Sequence, residues 1–294
     1  MEKTVCAALV GQPNVGKSTL LNALVGAKIA ITSPKPQTTR NRILGVVTKD
    51  ETQYIYIDTP GFHAPKSKLG EHMVKAVRDS AADVDCALFL TWGKNEFDDT
   101  ERGLLEELAK SKIPTILVIN KSDTFKSPDA GEKFLQSLQA NHSFAGGVCT
   151  SALTRDGLSG LVTKIDRFAL EGPHLYDDDT LTDVPERVIA SELVRESLLY
   201  NLSEELPHGC AVSVESFRER ADRPLIDIEA EIICEKNSHK GMIIGKGGFM
   251  LKKIGTQARE QIEEFLDCKV NLKLWVKVRE GWRDKEQYIK SLGL

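Results

Sequence analysis

Over its first 170 residues the chain alternates short, unbroken apolar runs with segments that read as helical. Residues 5–10 (VCAALV), 53–58 (QYIYID), 86–92 (CALFLTW) and 115–120 (TILVIN) are apolar with little polar alternation. That is the pattern of parallel strands buried on both faces. Residues 17–26 (KSTLLNALVG) read as a helix ended by glycine. Strands alternating with helices predict a three-layer α/β fold with a mostly parallel sheet. In such sheets ligands sit at the C-terminal ends of the strands.

The texture changes at 171–188, where two prolines, a glycine and three consecutive aspartates interrupt the pattern. A linker is expected over 171–185. It separates a domain at 1–170 from a smaller one at 186–280, with a tail at 281–294. Beyond the linker the pattern gives a helix over 185–206, then alternating strands at 211–217 and 225–234. A short helix follows over 237–244. Leu251, Ile254, Ala258, Ile262 and Phe265 recur at spacings of three and four, an amphipathic helix. A last strand occupies 270–278. The second half is therefore α+β, in the order α-β-β-α-α-β.

Charge sharpens this division. The net charge is −4. Residues 183–235 hold 5 basic and 13 acidic side chains, whereas 236–294 hold 13 basic and 7 acidic. A basic segment behind an acidic one suits an anionic partner such as nucleic acid or a lipid headgroup. The six cysteines form no C-x-x-C pair and the six histidines no H-E-x-x-H, which argues against a zinc site. The start, MEKTVCAALVG, has too short an apolar run for a signal peptide. No segment approaches the roughly 18–20 apolar residues that span a bilayer. A cytoplasmic protein is expected, with peripheral membrane contact compatible.

The chemistry stands at the predicted strand ends. GQPNVGKST, residues Gly11, Gln12, Pro13, Asn14, Val15, Gly16, Lys17, Ser18 and Thr19, fits the phosphate-loop pattern G-x-x-x-x-G-K-[ST] between a strand and a helix. Its backbone N–H groups and the helix N-terminus suit phosphate oxygens. Lys17 would neutralise phosphate charge and the Ser18 hydroxyl would bind Mg2+. DTPG (Asp58, Thr59, Pro60, Gly61) follows the second strand: Asp58 is placed to hold the metal through a water, and the Gly61 N–H to sense the γ-phosphate. NKSD (Asn120, Lys121, Ser122, Asp123) follows the 115–120 run. The Asp123 carboxylate can accept from guanine's ring N–H and exocyclic amine, donors that adenine does not offer there. TSA at 150–152 brings Ser151 and Ala152 to the base, with a backbone N–H for the guanine oxygen.

In this order the motifs of residues 1–170 resemble a translation-factor-type GTPase domain that binds GTP and GDP. SPKPQTTRNR at 33–42 falls where such domains carry switch I. The resemblance makes Thr38 or Thr39 the magnesium- and γ-phosphate-sensing threonine, and gives Lys17, Gly61 and that threonine catalytic roles. Phe62 stands where small signalling GTPases place a water-orienting glutamine. Together with Asn14, it points to the subgroup with a hydrophobic residue there, several members of which use K+. Slow intrinsic turnover, near ~10⁻⁴ s⁻¹, is the expectation.

GMIIGKGG at 241–248 looks like a damaged phosphate loop, with one residue too few and Gly247 after the lysine. Its setting between two helices instead resembles a KH domain, whose G-x-x-G loop clamps RNA backbone. Ile244, Gly245, Lys246, Gly247, Gly248, Lys252 and Lys253 are the expected RNA contacts. In the tail, Trp282 and Tyr288 either touch RNA or pin the last helix. A GTPase domain followed by this kind of KH domain and a WRD tail closely resembles the Era family of bacterial ribosome-assembly GTPases over residues 3–294. The resemblance implies binding of 16S ribosomal RNA near its 3′ end, a role in small-subunit biogenesis, peripheral attachment to the inner membrane and a monomeric state.

Overall fold

The computed structural model describes residues 1–36, 38–61, 84–93, 96–140 and 142–292. The chain divides into two compact units. Among described residues, the first takes in those within 1–30, 39–61 and 84–183, and the second those within 31–38 and 184–292.

The first unit is built on a sheet whose main path runs β2-β3-β1-β4-β5-β6, with β7 (Leu170–Glu171) paired to β1. The strands are β1 (Lys3–Gly11), β2 (Ile43–Lys49), β3 (Thr52–Asp58), β4 (Cys86–Thr91), β5 (Thr115–Ile119) and β6 (Gly146–Cys149). All neighbours on that path are parallel except β2 and β3. Thus β1, β4 and β5 all deliver their C-terminal ends to one rim, as the apolar runs predict. The helices are α1 (Lys17–Val25), α2 (Asp99–Lys110), α3 (Pro128–Ala140) and α4 (Leu158–Ile165). Gly26 ends α1 in the left-handed conformation, its N–H donating to the Asn22 carbonyl. A capping box of Asp98 and Glu101 starts α2.

Residues 171–183, most of the linker expected over 171–185, are a strap of this unit. Gln53 is fully buried and explains the attachment. Its amide oxygen accepts from the Leu175 and Tyr176 N–H groups, and its nitrogen donates to the Tyr176 carbonyl at 2.8 Å. The strap then follows β2, where the Val46 N–H donates to the Leu181 carbonyl and the Thr182 hydroxyl to the Leu44 carbonyl.

The second unit packs α5 (Glu186–Asn201), α6 (Asn237–Ile244) and α7 (Phe249–Leu266) on a sheet of order β10-β9-β8. Its strands are β8 (Ala211–Glu219), β9 (Leu225–Cys234) and β10 (Lys269–Val278); α8 (Glu286–Ser291) follows. The core joins Leu193, Leu198, Ile228, Ile232, Ile254 and Ile262. The expected helix over 185–206 is too long: Leu202 turns extended, and residues 202–206 form a bend and turn that lead into a 3-10 turn at Pro207–Gly209. Even Arg195 and Glu196 are buried on α5. Glu196 accepts from the Thr32 N–H at 2.8 Å, Arg195 donates to the Thr38 carbonyl, and Ile31 joins the core. Trp282 is wholly buried, with Nε1 donating to the Gly209 carbonyl at 3.0 Å. Its role is to pin the tail.

Candidate nucleotide and RNA sites

In the first unit, the residues after β1, β3, β5 and β6 converge. Gly11 has φ +147, and a Cβ there would lie 2.4 Å from the Leu90 carbonyl oxygen. Gly16 has φ +96, and its Cβ would lie 2.3 Å from Asn120 Nδ2. Both positions need glycine. Gly61 packs against Pro13, so the DTPG turn abuts the phosphate loop. Asn14 is exposed with φ 65. Lys17 is buried, its Nζ donating to the Gly11 and Gln12 carbonyls at 3.0 Å each. Burial pushes its pKa down to about 8, against the pull of Asp58.

Beside Lys17 lies a cluster of oxygens. The Ser18 hydroxyl donates to Asp58 Oδ2 at 2.6 Å and sits 2.7 Å from the Thr39 hydroxyl, which reaches the same Asp58 oxygen at 3.3 Å. Asp58 is fully buried, and its Oδ1 has no well-formed hydrogen bond. Burial lifts its pKa above the usual carboxylate range, while Lys17 and the hydroxyls draw it back. Two hydroxyls around a dehydrated carboxylate suit a hard cation such as Mg2+. Thr38 is not part of this cluster. Its hydroxyl donates to the Lys35 carbonyl at 2.7 Å and lies 2.8 Å from Ser33 Oγ. Thr59 is buried and bonds the Leu9 carbonyl. Phe62 lies outside the described residues.

At the other end, Asn120 is the hinge. Its Nδ2 donates to the Val15 carbonyl at 2.9 Å, while its Oδ1 accepts from the Ala152 N–H at 3.1 Å and the Thr150 hydroxyl at 3.3 Å. Asn120 therefore locks the phosphate loop, NKSD and TSA together. Within TSA, the Ala152 N–H is thus engaged by Asn120. The Ser151 hydroxyl donates to Asp123 Oδ1 at 2.6 Å and so orients the carboxylate. Lys121 adopts φ 57, and the Ser122 N–H bonds the Thr150 carbonyl. The sequence motifs miss Asp98. It caps α2 and accepts from Gln12 Nε2 at 2.5 Å, tying the phosphate loop to that helix. The D-x-x-E capping signal at 98–101 was the available clue.

In the second unit, the G-K-G-G turn joins α6 to α7. Gly245 has φ +72, and its Cβ would meet Met250 Cβ at 2.7 Å. Gly247 and Gly248 also have positive φ, but nothing lies within 4 Å of their missing Cβ atoms. Lys246 is exposed, as are Lys252 and Lys253; Ile244 is partly buried. Between α7 and β10 runs a groove of about 400 Å³, lined by Gly248, Leu251, Lys252, Gly255, Thr256, Arg259, Leu272 and Leu274. Lys253 does not line it. The stripe 248-252-255-259 at helical spacing was legible in the sequence, but its meaning needs β10 opposite. Gly255 lets the helix approach, its Cβ position lying 3.4 Å from Leu274 Cδ1.

Comparison with known proteins matches both units. Residues 6–121 match the family described as 50S ribosome-binding GTPase, and residues 205–283 match the KH domain. The chain is 48% identical over 286 residues to the GTPase Era of Caldanaerobacter subterraneus subsp. tengcongensis, covering 97% of this chain and 96% of the relative. It is 50% identical over 293 residues to the GTPase Era of Caldicellulosiruptor saccharolyticus, covering 99% and 97%. Among solved structures, a variant of Aquifex aeolicus Era bound to GDP·AlF4− superposes with a TM-score of 0.95 at 37% identity, covering 99% of each chain. Era in complex with MgGDPNP and nucleotides 1506–1542 of 16S ribosomal RNA also gives 0.95, at 36% identity, covering 100% of this chain and 99% of that one.

Proposed function

The chain belongs to the Era family of GTPases, and from that premise we propose that it is a GTP-driven switch acting in small ribosomal subunit assembly. Its reaction is the hydrolysis of GTP to GDP and phosphate. Its RNA ligand in this reading is the 3′ region of 16S ribosomal RNA, on the precedent of the solved Era complex.

The residues divide the work. Backbone N–H groups of residues 14–18 cradle the phosphates, and Lys17 places its charge against them. Ser18, Thr39 and Asp58 hold Mg2+, which supplies charge stabilisation on the phosphate oxygens when bound. Gly61, against Pro13, senses the γ-phosphate, and Asp123, steadied by Ser151, reads the guanine edge. Of the two switch threonines, Thr39 is the metal-side residue, since its hydroxyl faces Ser18 and Asp58. Intrinsic turnover is slow, and Asn14 makes it sensitive to K+; replacing K+ by Na+ in a hydrolysis assay checks this. Lys246 and the two glycines after it hold RNA backbone, with unpaired bases in the α7–β10 groove. The protein works as a cytoplasmic monomer that attaches peripherally to the inner membrane, which flotation with anionic vesicles tests. Among the described residues no helix is long and apolar enough to cross a bilayer.

What carries this reading is the joint presence of the Ser18–Thr39–Asp58 cluster under a phosphate loop and a glycine-floored groove in a KH unit. The test measures affinity for a 3′-terminal 16S RNA fragment with GDP and with a non-hydrolysable GTP analogue. Tighter binding in the GTP state is expected, and by linkage RNA tightens GTP binding equally. Equal affinity in both states would instead mark a constitutive RNA-binding protein whose GTPase unit serves for docking.

A further inference from the structure

We infer that Trp92 is a positioning residue for the guanine end of the nucleotide pocket, acting through Lys121. The inference rests on the guanine-nucleotide reading above. Trp92 directly follows β4 and belongs to none of the nucleotide motifs. It is 40% exposed, whereas Trp282 is wholly buried. A tryptophan so exposed adds little to a core, so its contacts matter more than its burial.

Those contacts both reach the NKSD loop. The indole ring lies under the Lys121 ammonium, 4.1 Å from nitrogen to ring centroid. The indole N–H donates to the Thr124 hydroxyl at 3.0 Å, and that hydroxyl donates to the Lys121 carbonyl at 2.7 Å. Trp92 thus holds Lys121 at both ends: the charged tip through its π face, and the backbone through Thr124.

Lys121 has reason to need such support. Its φ of 57 lies in the left-handed region that side-chain-bearing residues seldom adopt. Its pKa is lowered by partial burial, so its charge is incompletely hydrated, and Asp123 offsets only part of that. An aromatic face is a physical substitute for the lost water. A free lysine stem would sample many rotamers; one seated on an indole is ordered before the nucleotide arrives, which lowers the ordering cost of binding. Trp92 thereby fixes the loop that carries Asp123 two residues later.

The test follows release of a fluorescent GDP analogue from the full chain by stopped flow. Trp92→Ala should speed release roughly two- to five-fold, the range of a half-exposed cation–π contact. The melting temperature of the nucleotide-free protein should stay unchanged. Trp92→Phe keeps the π face but loses the N–H, and should fall between. In a Lys121→Met background, Trp92→Ala should add nothing, because the two side chains act as one unit. Tryptophan emission should also change on GDP addition in the wild type and not in Trp92→Phe. Unchanged release from Trp92→Ala overturns the inference, as does an undiminished effect in the Lys121→Met background. A wild-type chain that failed to bind GDP would instead overturn the guanine reading beneath it.

Discussion

The loop at 11–18 is walled in by its own protein at both of its glycines, while the loop at 245–248 stands open at its last two. Cβ atoms on Gly11 and Gly16 would strike Leu90 and Asn120, and Lys17 between them and Ser18 is buried. Gly247 and Gly248 would meet nothing, and Lys246 is exposed. Only Gly245 is crowded, and by the next helix of its own unit. On the function proposed above, the contrast follows from the ligands. A triphosphate with its metal is compact and can be enclosed on every side, with binding groups fixed in advance. A polynucleotide enters and leaves, so its loop must stay open along a line that continues into the α7–β10 groove.

The largest test of this contrast is at the base. Asp123→Asn removes the acceptor for two guanine donors; GTP affinity should fall roughly 10²–10⁴-fold, with xanthosine nucleotide now preferred. Nucleotide competition assays measure this, and retained guanine preference would mean that the walled pocket reads the base elsewhere. Next, Gly11→Ala should cost the first unit about 3 kcal/mol and abolish GTP binding, by strain at φ +147 and the clash with Leu90. Thermal melting checks it. Gly247→Asp should do the reverse: it leaves melting nearly unchanged, since the site is open and Asp tolerates a left-handed φ, but weakens RNA binding about tenfold or more by facing phosphate with a carboxylate. An equal loss of stability in the two glycine variants would break the contrast.

Two smaller effects sharpen it. Lys17, with a pKa near 8 in the free protein, must be charged against phosphate. Phosphate raises that pKa, so above pH 8 binding takes up a proton and GTP affinity declines, by at most about tenfold per pH unit. Calorimetry in buffers of different ionisation enthalpy reads the uptake. For the open loop, salt is the better probe. Lys252→Ala should reduce the slope of log affinity against log salt by about 0.7 if Lys252 meets one phosphate of a single strand.

Much of the GTPase half was legible because its strands are buried on both faces and its motifs sit at their ends. β2 escaped notice: ILGVVTK mixes a glycine and polar residues, and only pairing with β3 defines it. Thr38 and Thr39 are indistinguishable as letters; a local turn bond takes the Thr38 hydroxyl to the Lys35 carbonyl, and tertiary contacts take the Thr39 hydroxyl to Ser18 and Asp58. In the KH half, the strand at 225–234 and the helix at 237–244 match the pattern end to end. The α5 helix did not, because apolar Leu202 and Leu206 continue its pattern after the backbone has left it. Trp92 left no motif, since its partners at 121 and 124 are distant in sequence.

The strap along β2 also bears on how the molecule keeps to itself. β2 ends the sheet's main path, and an uncovered edge strand offers N–H and C=O groups to any passing chain. The Leu181 carbonyl and Thr182 hydroxyl occupy two of those groups, and Asp177, Asp178 and Asp179 lie just before them in sequence. The aspartate-rich stretch that reads as a spacer therefore leads into a segment that covers part of this edge. Removing Gln53, which anchors it, would show first in solubility at high concentration.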